Sequence, residues 1–105
     1  MKLIQCWQPF DLQNAIDTAV SCGFDGLLTK ALDGTTWMAD IESSPDALIA
    51  DNIAGHAQRC HDAGLKFFCW TNPLYGSAGY LDYQARLTAR VAIESDGLFL
   101  DVEPY

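Results

Sequence analysis

The sequence predicts an α/β fold, specifically the parallel four-stranded (β/α)4 half of a TIM barrel. Three observations lead there. Short apolar runs alternate four times with segments of helical periodicity. The runs are entered in similar ways, at Asp25-Gly26-Leu27-Leu28, Ala63-Gly64-Leu65 and Asp96-Gly97-Leu98-Phe99, so the chain reads as a repeating unit. No GxGxxG or GxxxxGK phosphate loop occurs, which counts against the rival flavodoxin-like doubly wound sheet. Right-handed crossovers then give strand order 1-2-3-4 with every helix on one face. The other face is left bare, whereas parallel sheets are normally covered on both sides, and a whole barrel takes about 250 residues. The 105 residues therefore read as one half-barrel domain, 1–105, a fragment or a truncated barrel. Its two edge strands and bare face call for a homodimer, a higher homo-oligomer, or a missing second half-barrel.

The elements follow in order. Lys2 to Trp7 is the first strand, cut by Pro9. Asp11 caps a helix whose apolar positions are Leu12, Ile16, Ala19 and Val20, and Gly23 ends it. The second strand covers 26–31, and a polar loop from Leu32 to Ser43 carries Trp37 and Met38. Ser44-Pro45 starts the next helix, with a hydroxyl cap and proline where no N–H is needed. Its stripe is Leu48, Ile49, Ile53, Ala57 and Cys60, and Gly64 stops it. The third strand covers 65–71 and is followed by an Asn-Pro turn and the Gly76–Gly79 loop. A helix from Tyr80 to Glu94 presents Tyr80, Tyr83, Leu87 and Val91, and the fourth strand covers 97–103.

Composition narrows the partners. A formal charge of −8 repels phosphates, so neither nucleic acid nor an anionic membrane is an expected partner. No run approaches the ~18 apolar residues of a membrane span, and the N-terminus lacks a basic-then-apolar signal pattern. These features suit a protein that is cytoplasmic or released by lysis. Cys6, Cys22, Cys60 and Cys69 show no CxxC or His–Cys spacing and read as buried free thiols, with a Cys22–Cys60 bridge as the alternative. His56 and His61 read as surface residues of the second helix, so no metal or other cofactor is expected.

Chemistry concentrates on the fourth strand. Residues two apart in a strand point the same way, so Phe99, Asp101 and Glu103 share one face while Leu98, Leu100 and Val102 suit the helix layer. Barrel enzymes place their chemistry at the carboxyl ends of strands. Two acids there stand roughly 5–7 Å apart, comparable with paired glycosidase carboxylates. Their proximity drives the two pKa values apart, leaving one acid protonated and one ionised. Lys30 and Asp33 at the second strand, Trp70 and Asn72 at the third, and Gln5 and Trp7 on the first complete a substrate-binding set. Aromatic and amide groups suit a carbohydrate, with its apolar ring faces and hydroxyl rims.

Three segments resemble glycoside hydrolase family 25, the lysozyme or muramidase-like barrels. Leu27 to Thr35 (LLTKALDGT) is similar to that family's strand ending in K-A-T-E-G-T. Phe67 to Pro73 (FFCWTNP) is similar to its third-strand run, and Phe99 to Tyr105 (FLDVEPY) to its fourth-strand D-x-E. The match spans nearly the whole chain and corresponds to the N-terminal half of that barrel. The DGLFLDVE run more weakly resembles the DGxDxDxE of family 18 chitinases, with Phe99 in place of an acid. The family 25 resemblance implies a polysaccharide hydrolase acting on a peptidoglycan-type glycan, with Glu103 the general acid and Asp101 its neighbouring carboxylate. Gln5 replaces the family's first-strand aspartate and Asp33 the glutamate of E-G-T. A non-catalytic truncated barrel that binds sugar or assembles with itself is the alternative.

Overall fold

A computed structural model describes residues 1–102. Those residues form an α/β unit with a mostly parallel sheet: β1 (Leu3–Cys6), α1 (Leu12–Cys22), β2 (Gly26–Asp33), β3 (Thr36–Trp37), a 3₁₀ turn (Met38–Asp40), α2 (Ile53–Asp62), β4 (Lys66–Asn72), α3 (Ala78–Glu94) and β5 (Gly97–Leu100). The sheet runs β1-β2-β4-β5, each neighbour parallel, with β3 paired only to β2. The expected four strands in order 1-2-3-4 thus become five. The added one is antiparallel, Leu32 opposite Trp37 and Asp33 opposite Thr36. Its cause is local. Gly34-Thr35 makes a two-residue hairpin turn between the Asp33–Thr36 pair, and Gly34 takes φ +59°, the positive value its first position requires. The same turn carries β2 two residues past its expected end.

Alternation along the strands divides the sheet into two faces. Leu27 and Ala31 of β2 and Phe67 and Cys69 of β4 are buried, and they pack with Leu12, Ile16 and Ala19 of α1, Ile53, Ala57 and Cys60 of α2, and Val91 of α3. Gln5, Leu28, Lys30, Phe68, Trp70 and Phe99 alternate with these residues and lie outside that core. Phe99 remains 50% exposed, with its ring edge-on to Phe68 at 5.9 Å.

The helix ends follow capping chemistry, with one exception. Asp11 accepts from Asn14 N at 3.0 Å and Gly23 closes α1 at φ +74°. Ser77 caps α3, which therefore begins two residues before Tyr80. The expected start at Ser44-Pro45 fails: α2 begins at Ile53. Ser44 Oγ accepts from Asp46 N at 3.3 Å but also donates to the Phe10 carbonyl, and Asp46 accepts from Leu12 N at 2.8 Å. These bonds fasten the 42–52 segment across the start of α1 as an irregular strap.

Several side chains depart from their expected faces. Val20, Ile49 and Tyr83 are exposed, whereas Gln84 is buried and clasps the Leu74 backbone, its Oε1 accepting from Leu74 N at 2.9 Å and its Nε2 donating to Leu74 O at 3.1 Å. His56 is not a surface residue. It lies buried between Phe10 and Phe67 and contacts the Asp46 carbonyl at 2.9 Å. All four cysteines are free, and Cys22 is exposed rather than buried. Burial pushes the Cys60 and Cys69 thiols up to about 12.

Candidate functional site

The carboxyl ends of the strands carry a cavity of about 340 Å³, inside the ~300–1,000 Å³ range of small-molecule sites. β1 and the turn after it supply Cys6, Trp7, Gln8 and Phe10; β2 supplies Thr29 and Lys30; β4 supplies Trp70. Met38, Glu42, Ala47 and Leu48 roof it from the strap side. A second hollow of about 270 Å³ opens on the uncovered sheet face, between Gln5, Leu28, Trp70, Phe99, Leu100 and Asp101. Trp70 walls both.

A bulge in β2 lies between Lys30 and Asp33. The β2–β4 register shifts between Lys30 and Leu32, so Ala31 and Leu32 are both buried while Lys30 stays on the open side. Lys30 Nζ meets Asp33 Oδ1 at 2.6 Å and lies 4.8 Å from the Trp70 ring centroid, within cation–π range.

Polar atoms here are left without partners. Among the described residues, Glu42 Oε2, Trp70 Nε1, Asn72 Oδ1 and Thr29 Oγ1 are buried and make no hydrogen bond, apart from a weak approach of the Cys6 thiol to Thr29. Glu42 Oε1 is engaged, accepting from Phe10 N at 3.1 Å. Unpartnered buried polar groups are uncommon and call for an explanation at each site where they occur.

The sequence-based candidates are distributed as follows. Lys30, Trp7 and Trp70 line the larger cavity; Gln5, Trp70 and Asp101 line the second hollow. Trp7 is 70% exposed, at the mouth and not in the core. Asp33 reaches the site through Lys30, and Asn72 lines neither hollow. Asp101 follows β5, its N–H donating to Thr71 O at 2.9 Å. Glu103 lies outside the described residues, so the spacing of the Asp101–Glu103 pair has no structural counterpart. Glu42, Thr29 and Phe10 were missed. Glu42 sits in an aperiodic loop, where no spacing rule singles out one acid, and Thr29 looks like ordinary strand filling.

Among the described residues, no three His, Cys, Asp or Glu side chains cluster as a metal site would need, and no helix is long and apolar enough to cross a membrane. No family model, curated protein or solved structure matches the chain.

Proposed function

We propose that this chain is a carbohydrate-active α/β unit, the N-terminal half of a (β/α) barrel that engages a peptidoglycan-type polysaccharide at its strand carboxyl ends. In this reading Glu103 is the general acid that protonates the departing sugar oxygen. Asp101 is the neighbouring carboxylate that supports the oxocarbenium-like transition state. Lys30, Asp33, Trp70, Asn72, Gln5 and Trp7 contribute to binding. The observation that carries the reading is the Trp70 partition: one indole walls two adjoining hollows, with Asp101 on one side and Glu42 and Lys30 on the other. Aromatic faces beside unpartnered acceptors and donors are what sugar rings and their hydroxyl rims require.

A second reading, a non-catalytic module that assembles with itself, is favoured by a separate observation. Among the described residues β1 and β5 each pair on one side only, and Phe99 and Leu28 lie on the uncovered face between them. Pairing of these edges between two copies, or with a second half-barrel, would cover that face.

Hydrolysis of peptidoglycan and of chitin oligomers by wild type, Glu103→Gln and Asp101→Asn separates the two. General acid catalysis typically supplies ~10²–10⁴-fold, so Glu103→Gln should lose about that much while the circular dichroism spectrum stays unchanged. Wild-type activity that survives the change removes Glu103 from the mechanism. Oligomers that bind glycan without cleaving it leave the second reading in place.

A further inference from the structure

We infer that two copies of this chain close into one parallel barrel, β5 of each copy pairing with β1 of the other, and that the partner subunit completes a ring of alternating charge at the strand carboxyl ends. The inference rests on the self-assembly reading above and names the strands that meet, their register and the side chains that match.

Both edges are built to be joined. β1 (LIQC) and β5 (GLFL) carry no charge and no proline, the devices that usually protect an open edge. Phe99, Leu100 and Val102 along one edge and Trp7 just past the other are exposed apolar side chains. The path β1-β2-β4-β5 is parallel throughout. One two-fold rotation about the barrel axis therefore makes two identical parallel joints and leaves no edge free. α3 and the partner's α1 flank each joint, with exposed Ile93 and Val20 near their last turns.

The internal register says where the copies meet. Gln5 stands opposite Leu28, Leu28 opposite Phe68, and Phe68 opposite Gly97, the first residue of β5. Later strands thus begin further along the ladder, the stagger of a tilted barrel. A barrel of eight parallel strands accumulates a shift of about eight residues per circuit, hence about four per copy. Phe99 then falls opposite the partner's Leu3, and Asp101 opposite the partner's Gln5.

The same stagger sorts the uncovered face into the layers that fill a barrel, each drawn from alternate strands. It places Leu28 level with Phe99, Gln5 level with Trp70, and Lys30 level with Asp101. The hollow on that face already gathers Gln5 with Trp70 and Leu28 with Phe99. Two copies give one layer of paired leucines and phenylalanines. Above it, Lys30 and Asp101 alternate in sign around the ring, each Asp101 between the lysine of its own chain and the partner's Lys30. The face is therefore complementary to a second copy of itself. Among the described residues Asp101 makes no ion pair. Lys30 Nζ is bonded to Asp33 at 2.6 Å, and an ammonium has three N–H groups to share.

Sedimentation of the full chain across a wide concentration range tests the assembly, which should be a dimer with no larger species. Gln5→Pro against Gln5→Ala tests the joint. Lys2 O accepts from Asp25 N, so by alternation Gln5 turns its N–H to the open edge, where it would meet the partner's Leu100 carbonyl. Proline is tolerated on an edge whose N–H faces solvent but breaks a ladder. Gln5→Pro should raise the dimer Kd by about ten- to a hundredfold, because the joint occurs twice and each net hydrogen bond is worth about two- to tenfold. Gln5→Ala keeps the N–H and should move it far less, and circular dichroism of the dilute monomers should match wild type. Asp101→Lys tests the ring without touching the ladder. Four like charges should favour the monomer, and adding Lys30→Glu to the same chain should restore the dimer. Indifference to Gln5→Pro overturns the joint, indifference to Asp101→Lys overturns the ring, and a ladder of growing species overturns closure; each leaves self-assembly standing. A monomer at every concentration removes both the inference and the self-assembly reading.

Discussion

Asp96 offers the sharpest test of how the strand amino ends are held. It lies between α3 and β5, and its Oδ2 accepts from Phe67 N at 2.7 Å and from His61 Nε2 at 2.7 Å. One carboxylate thus ties the entry of β5 to β4 and to the end of α2. Burial alone would raise its pKa, but the hydrogen bonds from Phe67 and His61, with Lys66 nearby, outweigh this and hold it below its ordinary 3.8. Removing the acceptor with Asp96→Ala strands the Phe67 N–H, at about 1–3 kcal/mol for an unsatisfied donor, and also loses the imidazole bond. A total of about 2–4 kcal/mol follows, a large share of the ~5–15 kcal/mol typical of a domain. Asp96→Asn retains an acceptor for Phe67 and should cost about half as much. The sign of the pH effect follows from the depressed pKa. The stabilisation is fully present above the unfolded-state value and is lost as pH falls through the folded-state value. Urea unfolding at neutral pH and again near pH 3 measures both effects. Wild type should lose stability over that interval by more than Asp96→Asn does. An Asp96→Ala midpoint equal to wild type, or equal acid sensitivity in all three proteins, would refute the argument.

Thiol labelling should proceed in the order of exposure and pKa. At about pH 8, iodoacetamide should modify exposed Cys22 first and leave Cys60 and Cys69, at about 12, untouched until urea unfolds the chain; four equivalents of fast labelling would contradict the burial described. Gly34→Ala should destabilise by about 1–3 kcal/mol, because φ +59° disfavours a side chain and the added Cβ would meet the Tyr80 hydroxyl and Leu74 Cδ1. Thermal unfolding reads this directly, and an unchanged Tm would mean that the hairpin is not held as described.

What was legible in the sequence was the part governed by periodicity. Leu12, Ile16 and Ala19, and then Ile53, Ala57 and Cys60, recur at helical spacing and are buried together, while the alternating residues of β2 and β4 divide between two faces. The caps at Asp11 and Gly23 were likewise readable, because each satisfies a local backbone need. Long-range competition was not readable. Ser44 does accept from Asp46 N at 3.3 Å as a cap would, but its hydroxyl also donates to the Phe10 carbonyl, 34 residues away in sequence, and Asp46 is drawn to Leu12 N, so the segment after Pro45 is tied across the start of α1 and helix begins only at Ile53. His56 looks like a solvent-facing polar residue until the strap brings it the Asp46 carbonyl. The β2–β3 hairpin, closed by Gly34-Thr35, reads in the sequence only as part of a polar loop, because β3 is two residues long and has no periodicity of its own.

The same distinction explains where the candidate site lies and why half of it was missed. Regular elements satisfy their own backbone groups, so a strand or helix interior has few polar atoms to offer a ligand. The 42–52 strap lacks a ladder and adds side-chain bonds to its few backbone turns: Glu42 to Phe10, Asp46 to Leu12, Asn52 to Ile49 and to Ala47. Each carboxylate or amide used this way has a second polar atom to place. For Asn52 both find backbone partners, whereas Glu42 Oε2, on a residue that lines the larger cavity, finds none among the described residues.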